Sequence, residues 1–158
     1  MIRRYASASP VLQGGGAVTR KADSDDDVRA VFNLLMIMHD EQGMAPLDPV
    51  KTMQRIYDAV FGGSCFVVDG DDCLVGSIGL VVADYWYSMD KYLTDRWFFV
   101  RKEARNGSVG KALLIAARGE AETHGLPLFV NVTNPTRRYG KIGDLVGFFP
   151  LGKTLRLR

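Results

Sequence analysis

Val100-Arg101-Lys102-Glu103-Ala104-Arg105-Asn106-Gly107-Ser108-Val109-Gly110-Lys111-Ala112-Leu113-Leu114 closes a strand-like aromatic run, turns through small residues and opens an amphipathic helix. A junction of this kind makes an anion cradle. Glycines let the backbone come close to a ligand, and the unpaired N–H groups of a helix's first turn, backed by its dipole, point at negative charge placed there. The expected guest is a diphosphate.

Gly107-Ser108-Val109-Gly110-Lys111 looks like the tail of a P-loop, but the spacing rejects that reading. A P-loop needs a glycine five residues before its Gly-Lys pair and Ser or Thr after the lysine. Arg105 and Ala112 stand there. Arg105-x-x-Ser108-x-Gly110 instead resembles the acyl-CoA pyrophosphate loop of the GNAT superfamily of N-acetyltransferases, with Ser108 in place of the pattern's first glycine. The family's strand Val stands at Val100, five residues ahead of Arg105, and its following helix, strand, Asn and Gly-Phe pair have counterparts in Leu113–Thr123, Leu128–Val132, Asn134 and Gly147-Phe148. The resemblance covers residues 17–158. With Met38-His39-Asp40-Glu41 early and Tyr85-Trp86-Tyr87-Ser88 midway, its flavour is similar to acetyltransferases common in tailed-phage genomes.

At 158 residues the chain fits one domain. Residues 1–16, ending in Gln13-Gly14-Gly15-Gly16, read as a flexible leader, and the domain is expected over 17–158. A hydrophobic content of 47% with 24% charged residues is ordinary for a globular protein, and no apolar run approaches a bilayer span of about 20 residues. No membrane partner is expected. A net charge of +2 does not demand nucleic acid either, although Arg137, Arg138, Lys141, Lys153, Arg156 and Arg158 crowd the C-terminal fifth. Cys65 and Cys73 make neither a disulfide framework nor a zinc site, so no metal is expected; reduced thiols and the lack of a secretion signal point to the cytoplasm.

Outward from the loop, the chain alternates helical and strand signals. Ala17–Lys21 is a short strand; Asp23-Ser24-Asp25-Asp26-Asp27 starts a helix whose buried stripe is Val28, Val31, Phe32, Leu35 and Met38, stopped by Gly43. Asp48-Pro49 starts a second, with Met53, Ile56, Tyr57 and Val60 on one face and Gly62-Gly63 at its end. Cys65–Val68 and Cys73–Val82 form a hairpin about Asp69–Asp72, and Thr94–Val100 is the next strand. Leu113, Leu114, Ala117 and Ala121 give the following helix its packing face, and Gly125 caps it before a strand over Leu126–Val132. This order predicts an α+β or three-layer α/β fold with a central mixed sheet flanked by helices.

The resemblance implies that the strand ending at Val100 and the one near Val132 run parallel and then splay apart, so that the backbone of Phe99 and Val100 bonds the pantetheine arm of acetyl-CoA like an added strand. It implies that Arg105, Gly107, Ser108, Val109, Gly110, Lys111 and Ala112 wrap the diphosphate, and that Asn134 belongs to the same cofactor site. The bland alternative makes Arg105 and Lys111 solvated surface charges.

Acetyl transfer to an amine needs a base, because an ammonium of pKa about 10.4 has no free lone pair. Asp95 and Glu41 are the carboxylates that fit the family's acceptor cleft, Glu41 also as a substrate contact. Their structural alternatives are pairing of Asp95 with Arg96 or a lysine, and Glu41 simply opening a loop. The family's acid, a tyrosine four residues before the late glycine, falls on Gly143; Tyr139, one turn earlier, or water takes that role. Tyr85, Trp86 and Tyr87 cannot all be buried on one strand face, so they either line an apolar acceptor wall or pack under the 44–48 loop.

The implied enzyme acts on an amine of a small molecule or protein, and a homodimer is allowed. Two rival classes use the same residues: a non-catalytic acyl-CoA-binding module, and a phage-type nucleic-acid modifier, for which the C-terminal basic cluster is the sole hint.

Overall fold

A computed structural model describes residues 17–43, 45–131, 146–149 and 151. The leader, Asn134, Tyr139 and the C-terminal basic cluster lie outside the described residues. The elements are β1 (Arg20–Lys21), α1 (Asp25–Gln42), α2 (Pro49–Phe61), β2 (Cys65–Asp69), β3 (Leu74–Asp84), β4 (Lys91–Val100), a 3-10 turn (Lys102–Ala104), α3 (Ser108–His124) and β5 (Leu128–Phe129). They build one mixed five-stranded sheet in the order β1-β2-β3-β4-β5, antiparallel until β4 meets β5 in parallel.

Local chemistry sets the helix ends. The Ser24 side chain accepts the N–H of Asp27 at the head of α1, where Asp25, Asp26 and Asp27 meet the positive end of the dipole. Asp48 caps α2 through the N–H of Lys51, with Pro49 in the first turn, and Gly125 ends α3 in the left-handed conformation at φ 64°.

The sheet buries both faces. On one, α1 and α2 bring Val31, Leu34, Ile56 and Val60 onto Val67, Trp97 and Phe99; on the other, α3 brings Val109, Leu113 and Ala117 onto Phe66, Ile78, Leu80 and Val100. This is the expected three-layer α+β plan. Burying apolar area at roughly 25 cal/mol per Å² on each face is what fixes the register of the central strands.

Two local expectations change. Tyr57 is 48% exposed, because Ala59 rather than Tyr57 completes the buried stripe of α2 with Ile56 and Val60. The β3–β4 ladder runs on to Asp84↔Lys91, which puts Tyr85–Ser88 in the hairpin turn and not in a strand. Of the strand expected over Leu126–Val132, of which Val132 lies outside the described residues, Leu128 and Phe129 pair with β4.

Candidate functional site

β4 continues six residues past its last pairing with β5, Thr94↔Phe129. Among the described residues that stretch of β4 has no ladder partner in β5. Arg101 donates its N–H to Val75 O at 2.8 Å, and strand alternation from that bond turns the main-chain groups of Phe99 toward β3 and those of Phe98 and Val100 toward the β5 side. Of the two residues expected to bond the pantetheine arm, Val100 turns its main chain to the β5 side, where Arg105 Nε already donates to its carbonyl, and Phe99 turns its main chain to β3.

A β-bulge lies on the other side of β4. Gly79 pairs with Trp97 but Leu80 pairs with Asp95, so Arg96 has no opposite number in β3. The extra residue twists β4 and re-aims the side chains that precede it. Leu93 therefore shares a core with Phe98 and Val100, while Trp97 and Phe99 face α1 and α2.

Past Val100 the chain makes the 3-10 turn, and Gly107 takes φ 95° before α3 begins. That left-handed angle suits glycine alone among the residues of the loop. The side chain of Asn106 accepts from Ser108 N at 3.1 Å and from Ser108 Oγ at 2.9 Å, which leaves the next N–H groups of the first turn, those of Val109 and Gly110, without intrahelical acceptors. α3 sits close to the sheet there. A Cβ on Gly76 would come 2.7 Å from Val109 Cγ1, 3.1 Å from Leu113 Cδ1 and 3.3 Å from Phe99 O.

Asp95 follows the last described β4–β5 pair, Thr94↔Phe129. Its Oδ1 accepts the Asn131 N–H at 2.7 Å and the Asn131 amide at 3.1 Å. Burial raises its pKa above the ordinary aspartate value, and the hydrogen bonds from Asn131 only partly oppose the shift. Among the described residues no cation forms an ion pair with it, so the expected alternative partner, Arg96, is not engaged.

Glu41 lies in the last turn of α1 and does not open a loop. It binds Arg105: Arg105 Nη2 donates to Glu41 Oε2 at 2.5 Å, while Arg105 Nε donates to Val100 O at 2.8 Å. The guanidinium also lies 5.3 Å from the centroid of the Phe99 ring.

At the far end of β4 an aromatic cluster caps the β3–β4 hairpin. Tyr85 stacks on Tyr92 at 4.7 Å and on Tyr87 at 5.6 Å, and Tyr92 meets Phe129 edge-on at 5.2 Å. Trp86 is 94% exposed and touches Tyr87. Tyr85, Trp86 and Tyr87 are thus together at the hairpin tip. Sequence reasoning missed Asn131, Asn106, Gly76, Tyr92 and Phe129. The glycines inside β3 did carry a signal, since an interior strand glycine marks close approach of another backbone or side chain.

The Acetyltransferase (GNAT) family model matches residues 29–140, more than half of the chain. The chain belongs to the GNAT acetyltransferase family. It is accordingly an acyltransferase, and the mixed sheet is the GNAT architecture.

Solved structures share that fold. An integron cassette protein, HFX_CASS3, from the mobile metagenome of Cole Harbour Salt Marsh is 21% identical at a TM-score of 0.67, covering 89% of this chain and 88% of that one. A predicted acetyltransferase with acetyl-CoA from Clostridium acetobutylicum is 12% identical at 0.68, over 89% and 94%. AAC(6')-Iy, in complex with the bisubstrate analog CoA-S-monomethyl-acetylneamine, is 14% identical at 0.67, over 91% and 98%. No curated protein sequence matches the chain. Among the described residues no helix is long and apolar enough to cross a membrane, and no group of three His, Cys, Asp or Glu is arranged to hold a metal ion.

Proposed function

We propose that this GNAT protein transfers an acetyl group from acetyl-CoA to a primary amine of a small molecule or protein by direct attack, with Asp95 as the base. One observation carries the reading: β4 runs on past its described pairing with β5 and leads into a left-handed glycine and a helix N-terminus. The residues present fit a CoA diphosphate. Gly107 supplies the turn, Ser108, Val109, Gly110, Lys111 and Ala112 form the first turn of α3 around it, and the missing Cβ of Gly76 seats that turn against the sheet.

Acetyl-CoA supplies the thioester carbonyl that the amine attacks. Backbone N–H at the open edge of β4 near Val100 stabilises negative charge developing on that carbonyl oxygen. Asp95 receives the amine proton, directly or through water, and its raised pKa brings it nearer to the range where a carboxylate accepts a proton at neutral pH. Tyr139 or water returns a proton to the leaving thiolate. The rings of Tyr85, Trp86 and Tyr87, at the hairpin tip about five residues or ~17 Å along the strand from Asp95, form a wall for the far end of the acceptor.

Thermal unfolding with and without acetyl-CoA tests the reading. Saturation at about 100 times the dissociation constant adds roughly 2.7 kcal/mol to the stability. Gly110→Leu removes that gain by filling the cradle. Release of free CoA thiol with a panel of primary amines then separates turnover from binding alone, and an acetyl-CoA-insensitive wild type overturns the proposal.

A further inference from the structure

We infer that Glu41 is a positioning residue: its carboxylate holds the Arg105 guanidinium against the end of β4, fixing the backbone edge and loop on which the acyl carrier docks. This rests on the acetyl-CoA reading above. The arrangement joins segments distant in sequence, with Glu41 on α1 and Arg105 behind β4, 64 residues apart. The pair is partly exposed, with 34% of the Glu41 side chain and 26% of the Arg105 side chain open to solvent.

Arg105 uses its planar fork on two acceptors at once, Nη2 on Glu41 Oε2 and Nε on Val100 O. The second bond occupies the carbonyl at the point where β4 passes into the loop. The guanidinium is therefore turned back onto the protein, over the Phe99 ring, and the N–H groups of Val109 and Gly110 are left to meet phosphate. Glu41 in turn is held by an anchored helix end, where Gly43 N–H bonds His39 O at 2.7 Å and His39 Nε2 lies 2.7 Å from Ala45 O. A shift of α1 would be felt at Val100, which makes Glu41 a brace between the acceptor-side helix and the carrier-side strand.

A brace needs an oxygen that accepts from Arg105, whereas a base needs a group that gains and loses a proton. Gln supplies the first and not the second. Titration of full-length protein with acetyl-CoA is therefore compared for wild type, Glu41→Gln, Glu41→Ala, Arg105→Ala and the double alanine variant, with CoA release measured on any amine the wild type uses. Glu41→Gln keeps affinity and turnover within about twofold, and Glu41→Ala weakens acetyl-CoA binding about three- to tenfold through lost preorganisation. Arg105→Ala is at least as weak, and the double variant is no worse, as expected of two residues acting as one unit. The melting temperature of unliganded Glu41→Ala moves by no more than about 4 °C, since a partly exposed ion pair contributes little to global stability.

Glu41→Gln that binds acetyl-CoA normally but has lost turnover overturns the inference and makes Glu41 the base. Glu41→Ala indistinguishable from wild type in both measurements also overturns it. A wild type that binds no acetyl-CoA removes the proposed function itself, and this role for Glu41 with it.

Discussion

Asp27, at the corner where β1 meets α1, is buried and Asp95, in β4, is half-buried, and their protons respond in opposite directions. Burial alone raises the pKa of each. At Asp27 the guanidinium of Arg20, with Nη2 2.8 Å and Nη1 3.0 Å away, and the Asp23 N–H at 2.9 Å outweigh burial and hold the carboxyl below its ordinary value. Asp95 is held by the amides of one residue, Asn131, and burial prevails. A carboxylate locked to a cation serves the fold; one buried against neutral donors stays available for a proton. That difference supports the proposed role of Asp95 as base more sharply than its position in the strand does.

The largest expected effect breaks the comparison if it fails. Asp95→Asn keeps an oxygen for the Asn131 N–H but cannot take a proton, so kcat falls about 10²- to 10⁴-fold with acetyl-CoA affinity retained. In wild type the rate declines on the acid side as pH drops through the raised Asp95 pKa, since the protonated carboxyl is no base. A Asp95→Asn variant with an unchanged rate and acid limb removes Asp95 from the mechanism.

Asp27→Asn is expected to act on stability instead, lowering it by about 1–3 kcal/mol, because Arg20 and Asp69 keep a charge network built around a missing partner. The sign with pH follows from the depressed pKa. The contribution of Asp27 is present above its unfolded value, about 3.9, and is lost as pH falls through the folded value. Chemical denaturation of wild type and variant across that range gives curves that converge in acid; a constant gap down to low pH contradicts the assignment.

How much of this was legible in the sequence depended on whether the information was periodic or local. Ser24 with its three aspartates, Asp48-Pro49 and Gly125 each act within one turn, and they announced their helices at the right places. The turn at Gly107 and the helix start at Ser108 were legible for the same reason, being a short contiguous device. The unpaired Arg96 was not, because a bulge is a property of two strands, and strict alternation across Thr94–Val100 hides it. Asn131 was passed over because its partner Asp95 is 36 residues away. The Glu41–Arg105 pair lay hidden for the same reason, although both residues had been singled out separately.

Packing at the open end of β4 offers a smaller test of the same division between fold and function. Gly76→Ala pushes a Cβ toward the stiff side chain of Val109 on the first turn of α3, so stability falls by about 1–2 kcal/mol and the acetyl-CoA-induced gain shrinks. Gly119, in the same helix, has nothing within 4 Å of an added Cβ. Gly119→Ala therefore raises stability by about 0.5–1 kcal/mol and leaves the ligand response intact. Equal ligand responses in the two variants would show that the seating of α3 on β3 does not set the cradle.

The smallest effect has the most telling sign. A carboxyl whose folded pKa is raised contributes stability below its unfolded value, about 3.9, and that contribution is lost as pH rises through the folded value, so at neutral pH an ionised Asp95 is a burden on the fold. Asn carries no charge to desolvate and preserves the acceptor for Asn131. The substitution that costs most of the activity should therefore raise the melting temperature slightly at pH 7, and the advantage should vanish in acid, where wild-type Asp95 is neutral too. Asp27→Asn moves the other way at pH 7. If both variants lose stability there, Asp95 is a structural carboxylate like Asp27, and the contrast that singles it out as the base disappears.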